Sequence, residues 1–228
     1  MKSIIVTLLL FFISLVGRAQ DINKMDAEGK RHGLWKGIYE DTKLPRYEGT
    51  FEHGKETGVF RFFENSKKSP LAATREFSAK DNSCYTIFYG EKEKKTGEGR
   101  EVNKIRQGEW KFYHPDGKTI MSVENYKDGK IIGTRKVYFP DGKIAEETVY
   151  TDGIKNGPYK KYTEKGLVLE EAVYVKDQFH GPATYRNDAG QVVSTGQYKN
   201  GKKAGLWKFY KDRKLEKEVD MSASRKRP

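Results

Sequence analysis

A glycine returns along this chain at a nearly fixed interval and brings aromatic residues with it. A glycine-led motif, complete as Gly-x-aromatic-x-x-aromatic at Gly58, Gly108, Gly157 and Gly205, begins at Gly33, Gly58, Gly108, Gly133, Gly157, Gly181 and Gly205, at steps of 25, 50, 25, 24, 24 and 24 residues. The double step predicts a worn copy at position 83, where Ser83 is followed by Tyr85 and Phe88 in the aromatic slots. Eight tandem units result. A period of roughly twenty to fifty residues marks an architecture in which each unit packs on its neighbours. Such arrays are usually surfaces for holding partners rather than pockets for chemistry.

The unit at Gly108 is the clearest. Gly108-Glu109-Trp110-Lys111-Phe112-Tyr113 alternates and is rich in aromatics, the pattern of a strand. His114-Pro115-Asp116-Gly117-Lys118 has proline and glycine where a tight reversal needs them. Thr119 to Tyr126 reads as the return strand, and Lys127-Asp128-Gly129-Lys130 as the turn into the next unit. The hairpin-turn glycine recurs at Gly117, Gly142, Gly166 and Gly190, and a tyrosine recurs at Tyr126, Tyr150, Tyr174 and Tyr198. The unit at Gly108 has one residue more than those that follow, and we place the extra residue in its second strand, as a β-bulge.

Each unit is therefore a β-hairpin. A lone hairpin is marginal in water, so consecutive hairpins must pair. The expected fold class is all-β: an elongated antiparallel hairpin repeat array, a single-sheet meander of about eight units of 24–25 residues. At roughly 4.8 Å per strand it would extend about 75 Å. Alternation puts Trp110 and Phe112 on one face and Lys111 and Tyr113 on the other, and Trp207 and Phe209 repeat this against Lys208 and Tyr210. The aromatics either hold the sheet together through cross-strand pairs or form an exposed track. On the second reading the candidate binding surface is Trp35, Phe60, Trp110, Phe112, Tyr159, Trp207 and Phe209.

The N-terminus has a different character. Lys2 precedes a hydrophobic run from Ile4 to Val16, and Gly17-Arg18-Ala19 sets small residues before Gln20. This is the layout of a cleaved secretory signal, too short to span a bilayer. The expected organisation is a signal peptide at 1–19, a linker at 20–25, the repeat domain at 26–220 and a basic tail at 221–228. The expected location is secreted or periplasmic. Removing Lys2 and Arg18 lowers the formal charge from +12 to +10. A positive balance favours acidic partners, although lysines and glutamates are interleaved along most of the chain. Cys84 is the only cysteine, so no intrachain disulfide can form, and it reads as a small apolar strand residue.

Tyr198-Lys199-Asn200-Gly201-Lys202-Lys203-Ala204-Gly205-Leu206-Trp207-Lys208-Phe209-Tyr210 resembles the MORN-repeat family in its bacterial variant form, and Tyr126 to Tyr138 follows the same pattern with Arg135 in place of tryptophan. The likeness runs from about Asp26 to Asp220. Units two and three depart from it, with Lys67 and Lys92 in place of the turn glycine and a charged loop at Glu91-Lys92-Glu93-Lys94-Lys95. The resemblance implies a hairpin array for protein association or membrane-surface attachment, without catalysis. Some members bear an antitoxin-like label.

No catalytic constellation emerges, and no cofactor or metal site is expected. His32 and His180 share the place just before a motif glycine, which repeat register explains, and His53 and His114 complete the set. No Cys/His cluster suggests zinc. The Asp-Gly pairs lack the clustered acids of calcium loops and are ordinary turn signals. Export disfavours nucleic acid. The leading expectation is a non-enzymatic scaffold for a protein partner. The alternative is an envelope module that holds anionic lipid or glycan on a basic, aromatic face.

Overall fold

The computed structural model describes residues 21–222. The signal segment and the Arg225-Lys226-Arg227 block lie outside the described residues. The strands are β1 (Lys24–Met25), β2 (Arg31–Ile38), β3 (Pro45–Glu52), β4 (Lys55–Phe63), β5 (Leu71–Phe77), β6 (Ser83–Tyr89), β7 (Lys95–Val102), β8 (Ile105–Tyr113) and β9 (Ile120–Lys127). They continue as β10 (Lys130–Tyr138), β11 (Ile144–Thr151), β12 (Ile154–Tyr162), β13 (Val168–Val175), β14 (Gln178–Phe179), β15 (Gly181–Arg186), β16 (Val192–Lys199), β17 (Lys202–Lys211) and β18 (Lys214–Asp220). Each pairs antiparallel with its sequence neighbour, so the chain is one open meander sheet. β14 and β15 both pair with β13 and are one strand interrupted at His180. Among the described residues, no helix is long and apolar enough to cross a membrane.

The motif glycine has a specific backbone task. Gly33, Gly58, Gly108, Gly133, Gly157, Gly181 and Gly205 all have positive φ, a region closed to most side chains. Five of them sit where the first strand of a unit carries two more residues than the strand before it. Glu48 pairs Arg61 and Thr50 pairs Thr57, and Thr195 pairs Lys208 while Gln197 pairs Ala204. The same offset occurs at Gly108, Gly133 and Gly157. An even number of inserted residues preserves which face each side chain takes, so the bulge bends the strand without turning the array inside out.

Unit three shows what happens without the glycine. β5 and β6 pair with no bulge: Phe77 with Cys84, Arg75 with Thr86, Ala73 with Phe88. The worn copy therefore lies one residue later than the spacing predicts. Cys84 holds the glycine's place and Thr86 the place of the first aromatic, while Tyr85 turns to the opposite face and is 45% exposed. A serine at position 83 cannot adopt the bulge conformation cheaply, and a one-residue slip exchanges the two faces.

Two further expectations are corrected. The extra residue of the Gly108 unit lies in the hairpin turn, where His114 bonds Thr119, against Phe139 and Lys143 in the next unit. β9 and β11 are equally long. The segment 20–25, expected to be a linker, contains β1. Asn23 grips Lys36 at both its N–H and its carbonyl, and the Trp35 indole donates to the Lys24 carbonyl at 3.0 Å. This segment caps the exposed edge of β2, which a repeat array needs at its ends.

Candidate interaction surface

The two faces of the sheet have different chemistry. On the inner face the first aromatic of a unit lies flat on a glycine of the preceding strand. Phe60 covers Gly49, Trp110 covers Gly99 and Trp207 covers Gly196; a Cβ on those glycines would come within 2.3–2.5 Å of the ring. The Trp110 indole N–H donates to the Arg100 carbonyl and that of Trp207 to the Gln197 carbonyl, both at 3.1 Å. A cation from two residues before the motif glycine then covers the ring. Arg31 lies 4.8 Å from the Trp35 ring centre, Arg106 4.5 Å from that of Trp110 and Lys203 4.0 Å from that of Trp207. The stack of glycine, indole and cation explains how a tryptophan in a single sheet reaches 0% exposure.

In other units the residue opposite the first-aromatic place is not glycine. Glu124 faces Arg135 in an ion pair at 2.9 Å. Thr148 pairs with Tyr159, and Ala172 and Ala183 occupy the corresponding places further on. Glycine thus lies under the rings of Phe60, Trp110 and Trp207, while Arg135, Tyr159 and Ala183 face residues larger than glycine. Of the expected aromatic track, Phe60, Trp110, Tyr159 and Trp207 are buried, and Trp35, Phe112 and Phe209 are half-buried. Their rings are mainly spent on each other, as in the edge-on contacts of Phe60 with Phe51 and Phe77. The glycine nine residues before Gly58, Gly108 and Gly205 is the sequence signal for this seat, visible only once the bulge fixes the pairing.

At the worn unit the same row holds polar groups. Arg75 approaches the Glu101 carboxylate at 3.3 Å, and the Thr86 hydroxyl donates to it at 2.8 Å. Cys84 is buried beside them, and burial pushes its thiol pKa up, which suits an unreactive side chain.

The outer face is a ladder of charges. Glu48 lies between Lys36 and Arg61, at 3.8 and 3.0 Å. Lys136 faces Glu147, Glu171 lies between Lys160 and Arg186 at 3.5 and 2.6 Å, and Lys208 faces Glu218. The basic member is usually the third residue after a motif glycine, and the acidic member comes from the adjoining strand. Tyrosines line one side of the ladder: Tyr113 donates to Glu98, and Tyr162 to Glu147 at 2.7 Å. Burial, reinforced by that bond to Glu147, raises the Tyr162 pKa to about 12. Two clefts open near the ends of the sheet, one among Gln191, Val192, Thr195, Tyr210 and Arg213, the other among Lys36, Pro45, Tyr47 and Phe63. Neither sets a nucleophile against a base.

The repeat seen in the geometry matches a known one. A family model described as MORN repeat variant fits residues 106–128 and 131–152. Residues 106–152 thus match the MORN-repeat variant family. The matched stretch runs from Arg106, the cation over Trp110, to the turn after β11, and so covers two adjoining MORN units. MORN repeats are generally modules for association with proteins or membranes. No curated protein matches this chain. Among solved structures, a mutant S. aureus TarM in complex with Fondaparinux, alpha-GlcNAc-glycerol and UDP is similar over 54% of this chain, at 13% identity and a TM-score of 0.24. The aligned part is 19% of that protein's length, and a likeness this loose carries no argument.

Proposed function

We propose that this MORN array is a non-enzymatic scaffold that holds a protein partner on its outer face, outside the cytosol. The charge-paired ladder carries the reading. It recurs along the sheet, interrupted at Thr74, Val123 and Thr195, is half-exposed, and sets ammonium and guanidinium groups beside carboxylates. A protein surface of complementary alternation can exchange partners with these groups one by one. An anionic lipid or glycan surface would meet the carboxylates of Glu48, Glu147, Glu171 and Glu218. The inner aromatics, which the alternative reading needs exposed, are largely covered, and Arg31, Arg106 and Lys203 are engaged over their rings. The signal-like segment at 1–19 supports export, with the mature chain starting at Gln20.

Crosslinking in the cell envelope followed by mass spectrometry tests the reading. One defined polypeptide should be recovered, and Glu48→Lys together with Glu171→Lys should abolish its capture while the sheet stays folded. Release of the chain from membranes or wall by a salt wash, with no polypeptide recovered, would favour the anionic-surface alternative. An intact Met1 on the envelope protein would overturn the export reading.

A further inference from the structure

The meander brings together three groups that lie far apart in sequence. Asp26 is in the turn between β1 and β2, His32 is in β2, and His53 is the first residue of the turn between β3 and β4. One donor atom from each lies within 4.8 Å of the other two. We propose that Asp26, His32 and His53 form a binding site for a divalent transition-metal ion of the zinc class, which pins the N-terminal cap to the first hairpin.

The carboxylate is built in advance. Asp26 Oδ1 accepts from the Glu28 and Lys30 amides at 3.0 and 2.8 Å, which leaves Oδ2 turned to His53 Nδ1 at 2.7 Å. The Asp26 side chain is 9% exposed, whereas that of His53 is 64% exposed and free to adjust. The two imidazole rings lie 4.9 Å apart between centres. Ligand bonds of about 2.0–2.1 Å to zinc require donor atoms about 3.3 Å apart, a small movement for exposed rings. The Lys30 ammonium is paired with Glu28 at 2.7 Å. Imidazole and carboxylate donors suit zinc and its neighbours.

The alternative is a plain histidine–aspartate hydrogen bond that steadies a turn. It accounts for two of the three groups. It does not account for His32, nor for histidine at position 53. The corresponding turn residues elsewhere are Asp128, Asp152 and Asn200, which suit the left-handed backbone that His53 adopts at φ 45°. His180, in the same repeat place as His32, has Asn200 where His32 has His53. Three protein ligands leave a tetrahedral ion one position for water or a partner's side chain.

The test is isothermal titration of the full chain with zinc chloride, paired with hydrogen exchange. We expect one ion per chain. His32→Gln and His53→Asn should each weaken binding about tenfold or more, in line with the cost of disturbing a metal site. Both replaced side chains are on the surface, so the variants should fold, and His114→Gln and His180→Gln should bind as the parent does. Zinc should slow exchange at amides 24–31 and leave β10 to β18 unchanged. No uptake at a large zinc excess, or uptake that survives the double variant His32→Gln/His53→Asn, would overturn the proposal.

Discussion

If Gly99 is there to seat the Trp110 ring, adding one methyl should do harm only while the ring is present. A Cβ at Gly99 would lie 2.5 Å from Trp110 Cδ2 and 2.6 Å from Cε2. The ring cannot retreat freely, since its N–H is held by the Arg100 carbonyl and Arg106 lies over it. Overpacking of this kind costs about 1–3 kcal/mol, against a gain of at most about 1 kcal/mol from replacing glycine in a strand. Trp110→Ala removes a fully buried side chain and should cost about 3–5 kcal/mol. In the double variant the methyl has room, and Ala172 with Ala183 already provides such a pair in this chain. The double variant should therefore cost no more than Trp110→Ala alone, a coupling of about 1–3 kcal/mol. An array of this kind need not unfold as one body, so the quantity to measure is the local opening free energy from hydrogen exchange at the amides of Gly99, Arg100 and Lys111. Equal costs for Gly99→Ala with tryptophan and with alanine at position 110 would refute the seat.

Gly157→Val should open the junction between β11 and β12: φ is +134° there, and a Cβ would come within 2.9 Å of Val149. Hydrogen exchange should rise around Tyr150 to Tyr162 while the strand of Trp35 stays protected, and global unfolding would instead mean one cooperative core. Asp116 accepts from the Thr119 hydroxyl, then from the Lys118 and Thr119 amides, and its pKa is held at about 2. Its folded value is below the ordinary 3.8, so its contribution to the turn is present above that value and is lost as pH falls through about 2. Protection of the Lys118 and Thr119 amides should follow that profile in acid, and a midpoint near pH 4 would contradict it.

The period, the strand alternation and the turn residues were legible in the sequence because they are local. A glycine every 24 or 25 residues, an aromatic two places on and an Asp-Gly pair between strands each satisfy a constraint set by a few neighbouring residues. The expected meander followed, since hairpins in tandem have little choice but to pair. Which ring sits on which glycine was not legible, because Gly99 and Trp110 meet only after a two-residue bulge fixes their register. The same holds for unit three: Ser83 and Tyr85 fit the count, yet without a positive-φ residue β6 pairs straight through and the copy slides to Cys84 and Thr86. The cap at Asn23–Met25 is an answer to an unpaired edge, and edges exist only in a folded sheet. His32 and His53 look unrelated at 21 residues apart, and only the return of the chain sets them side by side. The sequence by itself thus determined the kind of unit and how often it recurs, through local backbone preference. The tertiary structure decided register, face and neighbourhood, because these depend on hydrogen bonds between strands whose partners are chosen together.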